Sequence, residues 1–179
     1  YYGANAILLM LSVLNDDEYR HLAKVAHDLG MGILTETSNE LELQRAIDLN
    51  AKVIGINNRD LRDLSVNLNT SKTLAPKIPK DRVIISESGI SKHYHVRALR
   101  PYVDGFLVGS SLMSRLNLRQ ALIELIYGHH KVCGLTTPEY AQHALNAGAR
   151  YGGLIFVPES KRYVNPDTHN VIDIINAGS

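Results

Sequence analysis

Apolar runs and helical stripes alternate along the chain. Residues 4–14 (ANAILLMLSVL), 31–37 (MGILTET), 52–58 (KVIGINN), 82–88 (RVIISES) and 105–111 (GFLVGSS) are short and rich in aliphatic residues. Such near-continuous apolar runs read as strands buried on both faces. Helical patterns stand between them. From Asp16 to Leu29 the positions Leu22, Val25, Ala26 and Leu29 form one apolar stripe, with Asn15 placed to cap the start. Asn39 to Leu49 predicts a second helix, capped by Ser38, with Glu42 in range of lysine or backbone partners. Residues 65–79 predict a loop and a short helix, and Lys92–Leu99 and Leu118–Ile126 predict two more helices.

Five strand–helix units of roughly 20 to 30 residues imply a parallel sheet covered by helices, either doubly wound or a (β/α)8 barrel. The strand ends separate the two. LTETSN, INNRDL, SESGIS and VGSSLM each place polar residues just after an apolar run. In a barrel all of these meet at one mouth, whereas in an open sheet only the strands at the switch point share a site. Four polar ends in succession point to the barrel.

The pattern restarts after the three residues GHH (128–130). KVCGLT (131–136) predicts a strand, Pro138–Ala147 a helix, and YGGLIFV (151–157) a strand. A last helix is predicted within residues 165–177, with Asn165 as cap and Pro166 in its first turn. The expected domains are therefore residues 1–127 and 128–179. The chain opens at Tyr1 in mid-element and ends just after a helical pattern, so it reads as an internal piece of something longer. Tyr1 and Tyr2 are expected to pack or lie exposed at a helix end.

Composition narrows the partners. The 179 residues are 45% hydrophobic and 21% charged, with a formal net charge of +1. That balance suits a globular core and gives no bulk attraction for nucleic acid or an acidic membrane. No apolar run reaches the roughly 20 residues that span a bilayer. The single cysteine, Cys133, excludes an internal disulfide, which fits the cytoplasm.

The strand ends carry the candidate chemistry. Gly89 and the Gly109–Ser110 step lie at strand-to-helix junctions, where a bare backbone and a helix start favour an anion such as phosphate. Their alternative role is a tight turn. Glu36 and Glu87 end two strands and are placed to move a proton or grip a substrate hydroxyl; the alternative is a salt bridge to Arg59 or Lys92. Asn57 and Asn58 are placed to hydrogen-bond a substrate, and Arg59 to pair with Asp60 or a mouth carboxylate. His93 and His95, two apart, do not share a helix face, and His129 and His130 read as solvated. No motif for a metal or organic cofactor is present.

The four strand ends LTETSN, GINNRDL, ISESGI and GFLVGSSLM, in this order and spacing, resemble indole-3-glycerol-phosphate synthases over residues 1–127, as strands four to eight of that barrel. The restart, from KVCGLT to GARYGGLIFVPESKRYVNP, resembles the opening of phosphoribosylanthranilate isomerases. A fusion in this order is the arrangement of the bifunctional tryptophan-biosynthesis enzymes of enteric-type bacteria. The resemblance implies acid–base chemistry at Glu36 and substrate contacts from Asn57, Glu87 and Ser88. It implies a phosphate held by Gly89, Gly109 and Ser110, with Arg59 bracing the site. For the isomerase it implies Cys133 as the general base of an Amadori rearrangement and Arg162 over the substrate. Without the resemblance, Cys133 reads as a small core residue and Arg162 as a solvated loop residue.

The same resemblance implies that two lysines of the synthase precede Tyr1, and that an aspartate and phosphate loops of the isomerase follow Ser179. The implied substrates are small phosphorylated molecules, handled without a cofactor by a monomeric full-length protein. Two other readings remain. Another phosphate-binding barrel, such as one from histidine biosynthesis, predicts paired aspartates at strand ends, which the sequence lacks. A non-catalytic half-barrel predicts weak anion binding or self-association through open strand edges.

Overall fold

The computed structural model describes residues 3–60 and 62–177; the expectation for Tyr1 and Tyr2 lies outside them. The chain forms two compact units, Tyr1–Ser114 and Arg115–Ser179. In the first, β1 (Ala6–Met10), β2 (Gly32–Thr37), β3 (Val53–Asn57), β4 (Val83–Glu87) and β5 (Gly105–Leu107) form one parallel sheet in that order. The register runs Met10 beside Glu36, Glu36 beside Gly55, and Asn57 beside Glu87. A doubly wound sheet reverses its strand order at the switch point. This order never reverses, as in a sheet built up strand by strand toward a barrel.

Helices α1 (Asp16–Asp28), α2 (Glu40–Asp48), α3 (Asn69–Leu74) and α4 (His93–Leu99) connect successive strands. Asn15 caps α1 as expected: its side chain accepts from the N–H groups of Asp17 and Glu18, and Glu18 accepts the N–H of Asn15 in return. The cap of α2 is Asn39, not Ser38. Asn39 accepts from Glu42 N–H at 3.0 Å, while the Glu42 carboxylate takes the N–H and hydroxyl of Ser38 at 2.7 and 2.9 Å. The run 105–111 divides. Leu112 and Met113 donate back to the Gly109 carbonyl, so Ser110–Met113 is a short helix, α5.

Pleating sorts β3 into two faces. Ile54 and Ile56, both fully buried, join Leu9, Leu43, Ala46 and Leu74 in the core, where each leucine or isoleucine side chain contributes about 1.5–3 kcal/mol. Gly55 and Asn57 occupy the other face. β1 and β5 each pair on one side only, and Leu8 and Leu107 beside those edges are exposed.

The second unit contains α6 (Leu118–Tyr127), β6 (Lys131–Cys133), α7 (Pro138–Asn146), β7 (Tyr151–Gly153) and α8 (His169–Ala177). β6 and β7 pair in parallel beside a core of Leu135, Ala141, Val164 and Ile174. Helix α6 packs with this unit: Glu124 pairs with Arg115 and Arg150 at 3.1 and 3.5 Å. Helix α8 begins later than the capping pattern implied. Asn165 instead closes a turn, accepting from Asp167 N–H and from the Thr168 hydroxyl. Among the described residues no helix is long and apolar enough to cross a membrane.

Candidate active site

Three adjacent strands carry Glu36, Asn57 and Glu87 at their C-terminal ends, Asn57 and Glu87 as last residues and Glu36 one before Thr37. Asn57 lies beside Glu87 in the register and donates from Nδ2 to Glu36 Oε1 at 3.1 Å. Its own Oδ1 accepts the N–H of Arg59 at 2.9 Å, which fixes the amide's orientation. Both carboxyls are buried, Glu36 at 7% and Glu87 at 3% exposure. Glu87 reaches across β3 through space that Gly55 leaves open: a Cβ at residue 55 would lie 1.7 Å from Glu87 Oε1.

Glu87 Oε1 finds no hydrogen-bond partner within the protein. Burial pushes the Glu87 carboxyl up to about 8, and the negative charge of Glu36 adds to the effect. Burial disfavours the charged form, and two adjacent carboxylates cannot both be ionised cheaply. At neutral pH the raised value favours the protonated form of Glu87. Neither acid forms the salt bridge allowed by the sequence. The Arg59 guanidinium donates to the Leu64 carbonyl at 3.0 Å, Asp60 is taken by Arg62, and the Lys92 ammonium lies over the Tyr94 ring.

This pair has a consequence for stability. Unfolding releases Glu87 to an ordinary carboxyl value of 4.5, below its folded value of about 8. Between those values the folded chain holds the extra proton, so stability is full below pH 4.5 and falls as pH rises toward 8. The slope for one proton is at most about 1.4 kcal/mol per pH unit. Thermal melts of the chain from pH 5 to 8 should show this decline, and Glu87→Gln should flatten it. Equal slopes in the two proteins would contradict the assignment.

Beyond the acids, the chain turns sharply. Ser88 and Gly89 both adopt left-handed backbone, with φ of 63° and 74°. Gly89 is required twice, because a Cβ there would also lie 2.2 Å from Val66 Cγ1. The Ser111 hydroxyl donates to the Ile90 carbonyl at 2.8 Å and ties the β4 and β5 loops together. Between these loops lies a cleft of about 520 Å³, lined by Arg59, Glu87, Ser88, Gly89, Gly109 and Ser110 among others.

The two residues singled out in the second unit also meet. Arg162 crosses Gly134, whose φ is 79° and whose missing Cβ would sit 2.7 Å from Arg162 Cδ. The guanidinium donates to the Cys133 carbonyl at 3.2 Å. Cys133 is exposed rather than a core residue.

Two residues have roles that their strand positions did not reveal. Asn58 does not face the acids; its side chain is consumed by Ser71, Ser86 and the backbone of Glu87 and Ser88. Gly55 is the other, and its signal was present: a glycine inside a β-branched strand marks a close approach. The obstructed atom is the flexible end of Glu87, so Gly55→Ala should fold and displace that carboxyl. The Glu87 pKa, followed by carbon NMR, is then expected to fall from about 8 toward 4.5. An unchanged value would show that the carboxyl does not need this gap.

A sequential parallel α/β sheet with its polar strand ends gathered at one mouth defines a barrel-type enzyme architecture. The family model for indole-3-glycerol phosphate synthase matches residues 1–125, and the chain belongs to that family. Among its relatives, the tryptophan biosynthesis protein TrpCF of Vibrio cholerae is 63% identical over 165 residues, covering 92% of this chain and 35% of that protein. TrpCF of Yersinia pestis is 59% identical, covering 92% of this chain and 35% of its own. TrpCF of Buchnera aphidicola subsp. Baizongia pistaciae is 50% identical over 176 residues, 98% of this chain and 37% of that protein. The chain thus spans little more than a third of these relatives' length.

Proposed function

We propose that this chain supplies strands four to eight of a barrel that converts 1-(2-carboxyphenylamino)-1-deoxyribulose 5-phosphate into indole-3-glycerol phosphate, releasing carbon dioxide and water. Residues 1–127 belong to that barrel. Residues 128–179 open a second, truncated barrel, which isomerises N-(5-phosphoribosyl)anthranilate to the first reaction's substrate. The full-length enzyme is a cytoplasmic monomer in this reading.

The observation that carries it is the pair of buried acids, Glu36 and Glu87, with Glu87 Oε1 unpartnered and a cleft opening beside it. Ring closure adds an aromatic carbon to a carbonyl, whose oxygen must gain protons before leaving as water. A neutral carboxyl next to a charged one delivers a proton from one side and receives one on the other. Asn57 holds Glu36 in place for that exchange. The backbone N–H groups of Gly89, Gly109 and Ser110 are suited to the substrate phosphate. Arg59 braces the adjoining loop through Leu64. The two lysines that the resemblance adds lie on strands outside this chain. In the second unit, Cys133 takes the proton that moves during the Amadori rearrangement, with Arg162 over the substrate.

The test is direct. Full-length protein is given the carboxyphenylamino-deoxyribulose phosphate, and indole formation is followed by fluorescence. Steady appearance of indole-3-glycerol phosphate is expected, and its absence from folded protein would end this reading.

A further inference from the structure

Asn58 follows Asn57 directly yet serves the opposite side of the strand. It is 2% exposed. Its Nδ2 donates to Ser86 Oγ at 3.0 Å, to the Glu87 carbonyl at 2.8 Å and to the Ser88 carbonyl at 3.2 Å. Its Oδ1 accepts from the N–H and hydroxyl of Ser71 at 3.2 and 2.9 Å. The Ser71 and Ser86 hydroxyls close the network at 2.7 Å. The main chain joins in as well, with Asn58 N–H on the Glu87 carbonyl and Asn67 N–H on the Asn58 carbonyl.

Three features set this network apart from an ordinary buried amide. It converges on three consecutive residues, 86 to 88, of the segment that carries the mouth acid. The last of them, Ser88, holds a φ of 63°, a conformation that non-glycine residues keep only when their surroundings impose it. And Ser71 ties helix α3 to the same segment twice, through Asn58 Oδ1 and through the Ser86 hydroxyl. A fully satisfied buried network specifies one geometry rather than several.

We propose that Asn58 is a positioning residue for the site. By gripping the carbonyls of Glu87 and Ser88 it keeps Ser88 left-handed. That turn sends the Glu87 side chain across Gly55 toward Glu36 and presents the Ser88–Gly89 backbone to the cleft. Asn58 touches no substrate; it acts through Glu87 and Ser88. The inference rests on the reading of the cleft as the phosphate subsite of the ring-closing reaction.

The experiment uses the full-length enzyme with Asn58→Ala. It reads kcat and KM for ring closure, Ki for inorganic phosphate as a competitor, and the melting temperature. Losing the donors to a strained turn should raise KM and Ki in parallel by about tenfold, since each lost buried hydrogen bond weakens what it held by roughly that factor. A residue needed only for folding would lower the melting temperature and the active fraction while leaving KM and Ki unchanged; that result overturns the proposal. Ser71→Ala removes only the hydroxyl that pins Asn58 Oδ1, and should raise both constants by about threefold. Should Asn58→Ala fail to fold, Ser71→Ala decides alone, and unchanged constants there overturn the proposal equally. Wild-type enzyme that is folded but forms no indole-3-glycerol phosphate ends the functional reading, and this inference with it. Active wild type with indifferent variants ends the inference alone.

Discussion

Full-length enzyme carrying Glu36→Gln should close the indole ring roughly 10² to 10⁴ times more slowly, the usual worth of a well-placed acid–base group. Glutamine keeps the shape, and its carbonyl oxygen still accepts the Asn57 amide that reaches Glu36 at 3.1 Å. Only the charge and the proton traffic are lost. A second effect follows from the pairing. Burial is the main reason the Glu87 carboxyl stands at about 8, with the Glu36 charge next. Removing that charge should bring Glu87 part of the way down, leaving the contribution of burial. The alkaline limb of the pH–rate profile, set by loss of the Glu87 proton, should move to lower pH with it. Isomerase turnover in the same variant should stay at the wild-type rate. A loss of ring closure below about threefold would make Glu36 a structural residue rather than a participant, given what such groups ordinarily contribute.

The acids were legible because a charge at the end of a buried run has few bland explanations. Glu36 and Glu87 stood out in LTETSN and SESGIS, and the sequential strand order leaves one strand, β3, between theirs. What the sequence did not contain was their mutual contact. Ion pairs to Arg59 or Lys92 were equally compatible with the pattern, and the choice depended on Gly55 leaving room across β3. Asn57 and Asn58 looked equivalent as a dipeptide. The pleat separates them, because neighbouring side chains in a strand leave by opposite faces; one reaches Glu36, the other Ser71 and Ser86. Helix starts were blurred for a local reason. Asn39 and Ser38 are both good caps, and only the reach of Glu42 back to Ser38 shows which one begins α2. Asn165 and Pro166 carry a capping signature, but Asn165 spends its side chain on a turn before α8.

The isomerase chemistry should fail independently of the synthase. Cys133 and Arg162 lie in the second compact unit, while Glu36, Asn57, Glu87 and the cleft lie wholly in the first. Cys133 ends β6 with its thiol exposed, and the adjoining Gly134 lets Arg162 cross close by and bond the Cys133 carbonyl. A thiol ionises near 8.5 in its ordinary state, so it exchanges a proton readily near neutral pH, whereas a serine hydroxyl does not. Cys133→Ser preserves size and leaves the Arg162 bond intact, because that bond is made to the main chain. Loss of a general base of this kind costs roughly 10² to 10⁴ in rate. Two assays on one purified full-length variant therefore give opposite answers: isomerisation of N-(5-phosphoribosyl)anthranilate should fall by that factor, while ring closure of the supplied isomerase product should match wild type. A parallel fall in both rates, with the protein still folded, would mean that one site serves both reactions and that the division into two units has no chemical meaning.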